Sequence, residues 1–209
     1  MAANTLSILT PSVNNLTVRI FVRAARLDFE EVDVWGKTGE PEFLAKDPAH
    51  LTPMIEHSGL DRFYPRDPGQ RAMVDSAMFY LIGTVYPVLA RATYPTLGFP
   101  QYAGETATSD APDETKAQAQ RDAEAALAHP LDVYRSFFLD GKPFIGGDEP
   151  SIADIRFAAT LEFLRAIDYD FPGWANEYMT RMEASLGEAY SEPAADVRGY
   201  IAHVKSQNG

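Results

Sequence analysis

The hydrophobic pattern alternates between strand and helix periods up to about residue 60 and is nearly all helical from Pro68 onward, and that change of character dictates a fold of two unlike parts. Leu6-Ser7-Ile8-Leu9-Thr10 alternates apolar and polar, which predicts a strand. Thr10-Pro11-Ser12 reads as a stop and a cap. From Asn15 to Arg26, Leu16, Ile20, Phe21, Ala24 and Leu27 fall at helical spacing, with Arg19, Arg23 and Arg26 on another side. Phe29 to Val34 returns to period two. Two strands joined by a helix are most simply parallel neighbours. Trp35 to Glu40 reads as a loop, Pro41 to Ala45 as one helical turn, and Leu51 to Glu56 as a short strand carrying Pro53 at an edge.

From Pro68 onward the pattern is helical. Arg71 to Ala92 carries Met73, Ala77, Tyr80, Leu81 and Val85 on one stripe, with Pro87 expected to bend or end the helix. Thr93 to Pro112 reads as a long loop. Asp113 to Leu139 follows, with a bend expected at Pro130. Ser151 to Ile167 is apolar around most of its circumference, which places it in the core. Trp174 to Leu186 and Ala194 to Lys205 complete the set. The fold class expected is a small α/β unit over residues 1–60, a linker over 61–67 and an all-α unit over 68–209.

Composition narrows the chemistry. The chain has 209 residues, 45% of them hydrophobic, enough for a real core. Its net charge of −12 repels phosphates and anionic membranes, so neither nucleic acid nor membrane is an expected partner. The charges are scattered and read as solvated faces. Cysteine is absent, which removes disulfides, zinc–thiolate sites and any cysteine nucleophile, and with them a thiol–disulfide oxidoreductase. The four histidines lack metal-ligand spacing, so no metal is expected. No apolar run approaches the roughly 20 residues that span a bilayer. The N-terminus lacks a signal-peptide pattern, and a cytoplasmic location is the expectation.

Four places stand out as candidates. Ser12 stands at a strand-to-helix turn, where free N–H groups and the helix dipole favour an anion. Its hydroxyl, or the amide of Asn14, can donate to a bound thiolate and hold its pKa down. An N-cap is the commoner role for such a serine. Thr52-Pro53, if cis, turns the Thr52 backbone toward a ligand, whereas an edge proline that blocks aggregation is the commoner role. Ser151 and Asp154 have the spacing of a capping box, a structural feature. Tyr80, Tyr86 and Tyr94 can line an apolar pocket, Tyr80 being the weaker candidate because aromatics at helical spacing are more often core.

The order of these signals resembles the glutathione S-transferase superfamily, a thioredoxin-like domain followed by an all-helical one. The stretch LSILTPSVNNLTVRIFVRAARLDFEEVDVW is similar to that family's first strand, active-site turn, helix and second strand. PEFLAKDPAHLTPMIE is similar to its approach to a cis-proline, and PFIGGDEPSIADI to the capping box of its core helix. The likeness covers nearly the whole chain and is strongest for serine-type members, theta/phi-like or nu-like. It implies that Ser12 activates glutathione, with Asn14 the alternative. It implies that Lys37, Leu51, Thr52 and Pro53 help bind glutathione, and that the chain forms a homodimer. Asp47, His50 and Thr52 stand where the family pattern has Asn, Gly and Val.

A larger departure follows Leu60. The family continues there with a turn, a fourth strand and a helix, about twenty residues, whose N-terminus holds the γ-glutamyl end of glutathione. Here SGL runs straight into DRFYPRDPGQRA, which resembles the interdomain linker. Arg62-Phe63-Tyr64 can pair with Met54 to Glu56 as a hairpin, but no helix follows. Either the chain carries a deletion, or a stretch is missing from this sequence between Leu60 and Asp61. The intact flanks favour the second reading, and an intact-mass measurement decides it. The function expected is transfer of the glutathione thiolate to an apolar electrophile such as a halide, epoxide, activated aromatic or β-ether, in the manner of detoxification enzymes. The alternative is a non-catalytic, dimeric binding module of the same fold.

Overall fold

The computed structural model describes residues 5–10, 12–35, 37, 41, 63–99 and 111–208. Strand β1 (Thr5–Ile8), helix α1 (Val13–Ala24) and strand β2 (Glu30–Asp33) open the chain. The strands pair in parallel, Leu6 opposite Glu31 and Ser7 opposite Val32. Helix α1 buries Leu16, Ile20 and Phe21, the stripe set by their helical spacing. Phe29 and Val32 remain 40% and 38% exposed. Leu51, Thr52, Pro53, the proposed cis bond and the Met54–Glu56 half of the hairpin lie outside the described residues.

Phe63 lies in a turn and is buried against Phe21, ring centroids 5.7 Å apart in an edge contact. Its carbonyl accepts the Ile152 N–H at 2.8 Å, which fastens the segment to the core helix. Helix α2 (Pro68–Tyr80) then starts on an Asp67 cap, with Pro68 in the first turn where its missing N–H costs nothing.

Pro87 does not break the helix. The chain stays helical from Pro68 to Leu97 through a π-helical segment, Leu81–Val85, and helix α3, Tyr86–Leu97. The Tyr86 N–H reaches back five residues to Leu81 O, just before a proline that has no N–H for the normal ladder. The expected loop from Thr93 therefore begins later, after Gly98, whose left-handed φ of 67° ends α3. In length and composition alone this continuous helix could cross a membrane, contrary to the expectation that no run comes close. Its Val74, Ala77, Leu81, Val85 and Leu89 are buried in the protein core.

Helix α4 (Asp113–Ala126) stops before Pro130. The Ala126 carbonyl would need that missing N–H, so the helix is interrupted at Leu127 and resumes as α5 (Ala128–Val133). A second π-helical segment, Tyr134–Leu139, follows. Tyr134 donates its hydroxyl to Ala77 O at 2.6 Å and stacks on Phe157 at 3.9 Å.

Helix α6 (Ile152–Leu164) is the core: every residue from Ala153 to Leu164 is buried. Such a helix end cannot be hydrated, so it must be capped from within. Ser151 and Asp154 form the reciprocal capping box. Asp154 also accepts the N–H groups of Ile145 and Gly146 and the Tyr178 hydroxyl. Gly146 is required there, because a Cβ would meet Glu149 O at 2.5 Å. Burial pushes the Asp154 carboxyl up, and these donors oppose that rise. Helices α7 (Gly173–Leu186) and α8 (Glu188–Asn208) close the domain.

Near the other end of α6 the side chain of Glu162 is fully buried. It accepts from Tyr190 at 2.8 Å, Arg165 at 2.7 Å and both Arg198 nitrogens at 2.6 and 2.9 Å. Burial alone would raise this carboxyl, but the Arg198 hydrogen bonds and the charges of Arg165 and Arg198 outweigh it and hold it below the usual glutamate range. A depressed folded pKa gives stability that is complete above the unfolded value, about 4.3, and is lost as pH falls through the folded value. Glu162→Gln is expected to cost about 2 kcal/mol at pH 7, less than a fully buried pair because both arginines are partly exposed. The difference from wild type should shrink below about pH 4 in denaturant titrations. A pH-independent difference would show that the carboxylate charge contributes nothing.

Candidate active site

In open α/β units a ligand sits beyond the carboxyl ends of the strands. Here that corner is braced by Asp33. Its Oδ2 accepts the Thr10 hydroxyl at 2.5 Å and its Oδ1 accepts the Trp35 N–H at 2.9 Å. The Val34 N–H donates to Ile8 O at 2.8 Å, so the loops leaving both strands are tied together.

Ser12 stands at this corner as the N-cap of α1, in extended backbone (φ −106°, ψ 131°). Its Oγ accepts the Asn15 N–H at a long 3.5 Å. This is a weak cap, and accepting leaves the hydroxyl proton unused. Among the described residues that O–H has no acceptor. Ser12 is half-buried, with the free N–H groups of the first helical turn beside it. A negatively charged atom here would gain a hydroxyl donor and the positive end of the helix dipole together.

Asn14 lies in the same first turn and is exposed. Lys37 is exposed at the same end of the sheet, its N–H donating to Val34 O at 2.9 Å. Leu51, Thr52 and Pro53 fall outside the described residues.

The tyrosines divide. Tyr80 packs on Tyr134 and Phe138, centroids 5.9 and 5.5 Å away, and burial raises its hydroxyl pKa. Tyr86 and Tyr94 meet elsewhere, their hydroxyls 2.7 Å apart. Tyr94 meets Phe99 edge-on at 5.2 Å, and Phe99 stacks on Tyr200 at 6.2 Å. Trp35, from the small unit, reaches both Phe99 and Tyr200 at 6.2 Å. Residues from α3, α8 and the loop after β2 thus form one partly exposed aromatic wall. Trp35 and Tyr200 were not among the residues singled out from the sequence, because only the fold brings them together.

The two units are joined by charge as well as by packing. Arg19, read from the sequence as part of a polar side, is 3% exposed and bonds Glu31 at 2.9 Å and Asp196 at 2.6 Å. Arg23 bonds Glu31 at 2.8 Å and Glu192 at 2.6 Å. Burial would raise the Glu31 carboxyl, but Arg23 and Arg19 more than reverse this. So α1 carries the cap serine at its start and is clamped to α8 along its length.

This arrangement is that of the glutathione transferase fold. Residues 113–185 match the family model described as glutathione S-transferase, C-terminal domain. The chain is 24% identical over 187 residues to glutathione S-transferase D6 of Drosophila melanogaster, covering 79% of each. The solved structure of the Bombyx mori glutathione transferase BmGSTD1 superposes with a TM-score of 0.68 at 26% identity, over 96% of each chain. Human glutathione transferase theta-2, described as a complex with glutathione and an unknown ligand, gives a TM-score of 0.76 at 18% identity, over 97% of this chain and 90% of that one. The relatives and structures it resembles are glutathione S-transferases, and the likeness in fold spans nearly the whole chain.

The long cap bond separates structure from chemistry at Ser12. Ser12→Ala is expected to lower stability by only about 0.5 kcal/mol, the bottom of the range for capping residues. Denaturant midpoints of the two proteins check this. A loss above about 2 kcal/mol would mean that the hydroxyl is committed to the fold.

Proposed function

We propose that this protein is a glutathione transferase in which the Ser12 hydroxyl stabilises the glutathione thiolate. The single observation that carries this reading is the Ser12 O–H, half-buried at the N-terminus of α1 with no acceptor among the described residues. A thiol placed there loses its proton to solvent, and the sulfur accepts from Ser12. The thiolate then attacks an electrophilic carbon: a C–S bond forms, and the leaving group departs with its bonding pair. Holding sulfur and carbon together between the strand ends and the aromatic wall adds proximity. The Asn14 amide, exposed in the same turn, is the alternative donor. Bound glutathione in the human theta-2 structure supports the choice of thiol.

Thiolate absorbance of the glutathione complex, followed against pH, tests this. The bound thiol is expected to ionise about one pH unit or more below free glutathione, and Ser12→Ala to bring it back. Ionisation at the free-solution pH would remove the catalytic role. Retention on glutathione-agarose with no turnover of chlorodinitrobenzene would favour the non-catalytic module.

We also propose a homodimer. Phe79 and Ile82, spaced three apart and so on one face, are 76% and 53% exposed, and Phe137 on the packed neighbouring segment is 58% exposed. Apolar side chains this open fit an interface with a second copy. Sedimentation velocity should give twice the chain mass, and Phe79→Glu should give the single chain. A wild-type monomer at micromolar concentration would exclude the dimer.

A further inference from the structure

Helix α6 buries two charged side chains that lie outside its cap, and among the described residues only one has a counter-charge. Glu162 has two arginines. Arg156 is 7% exposed, and no carboxylate among the described residues pairs with it. Its Nη1 donates to Thr17 Oγ1 at 3.2 Å, and its guanidinium carbon lies 5.3 Å from the centroid of the Tyr86 ring. Thr17 gives its own proton to Val13 O, so it meets Arg156 purely as an acceptor. Of five guanidinium N–H groups, one is spoken for among the described residues. None of the Arg156 nitrogens is both sealed from solvent and unpaired, so the donors without a partner keep some contact with solvent. Burial pulls this guanidinium below its usual range, the tyrosines opposing. A cation is costly to bury without an anion.

The placement supplies the rest. Tyr86 lies under the guanidinium and is hydrogen-bonded to Tyr94, the inner end of the aromatic wall. Thr17 lies five residues beyond Ser12 on α1, about 7.5 Å along the helix axis. That is roughly the span of a benzoate with its reactive carbon opposite the carboxylate. We propose that Arg156 is a specificity-determining residue that binds a carboxylate on the electrophile, so that the second substrate is an anionic aromatic or apolar acid. One guanidinium balances one charge, and a chain of net charge −12 disfavours a dianion such as a phosphate ester. This inference rests on the transferase reading above. The carboxylate is assigned to the electrophile rather than to glutathione, because Arg156 and Tyr86 belong to the helical unit and stand beside the aromatic wall.

The test compares two aryl chlorides, 4-chloro-3-nitrobenzoate and 1-chloro-2,4-dinitrobenzene, which differ by a carboxylate against a nitro group. In both, glutathione sulfur bonds to the ring carbon and chloride leaves with its electron pair. Each kcat/KM is divided by the uncatalysed rate. The wild type is expected to favour the benzoate. Arg156→Gln should lower the benzoate value about 100-fold, leave dinitrobenzene within about threefold, and leave the glutathione KM unchanged. Arg156→Lys should retain part of the preference. Equal losses for both chlorides, no loss, or a raised glutathione KM would overturn the proposal. Binding decides it independently of turnover: quenching of tryptophan fluorescence by 4-chloro-3-nitrobenzoate, with S-methylglutathione present, should show a Kd raised at least 30-fold in Arg156→Gln. An unchanged Kd overturns the proposal. If neither chloride is turned over, the transferase reading fails while the binding arm still decides the carboxylate.

Discussion

Asp154 takes five donors into one buried carboxylate: the N–H groups of Ile145, Gly146 and Ser151, and the hydroxyls of Ser151 and Tyr178. Four of those donors are buried, and each would otherwise be left unpaired at about 1–3 kcal/mol apiece, while Gly146 is part-buried. The carboxylate therefore does more than start α6. It fixes the turn at Phe144 to Gly147, where Gly147 holds a φ of 101°, and it fixes α7 through Tyr178. The Ile152 N–H, one residue past the cap, holds Phe63 and so the approach to the helical unit. Because α6 is apolar on every side, α1, α2, α3, α7 and α8 all pack around it. Their positions inherit the accuracy of that cap.

Helix α1 is the second strut. Its apolar stripe packs on α6, while Arg19 and Arg23 reach Glu31 on β2 and Glu192 and Asp196 on α8. Glu31 serves both arginines, so the small sheet and the last helix are coupled through two residues of α1. Ser12 at its start is consequently positioned by contacts made two and three turns away. A hydroxyl positioned in this way can tolerate a cap bond of 3.5 Å, because the helix does not depend on it.

What could be read from the sequence follows from locality. The β-α-β opening, the start at Pro68, the core helix and its cap depend on residues a few positions apart, and the structure has them. Pro87 and Pro130 were misjudged or judged only in part because tertiary packing decides what a proline does. At Pro87 a π-helical turn, in which the Tyr86 N–H bonds Leu81 O, accommodates the disrupted ladder, and the helix runs on to Leu97. At Pro130 the chain is interrupted and continues. The site was partly visible. Ser12 and the Tyr86–Tyr94 pair were marked by their neighbours, but Trp35, Phe99 and Tyr200 converge only through the interface of the two units. Arg19 looked like solvent surface because nothing local reveals that α8 covers it.

A charge in the middle of SIADIRFAATLEFL is a local signal whose meaning is not local. Arg156 and Glu162 are six residues apart on the same buried helix, and the same desolvation acts on both. It is overcome at Glu162 by Arg198, Arg165 and Tyr190, which explains that residue wholly as structure. At Arg156 the neighbours are Thr17 and the faces and hydroxyls of tyrosines, all uncharged. Thr17 could be satisfied by a smaller neutral donor at far lower cost in burial, so the hydrogen bond to α1 does not account for a guanidinium. Among the described residues no negative charge answers this cation beside the aromatic wall, which fits an anionic substrate with an apolar body.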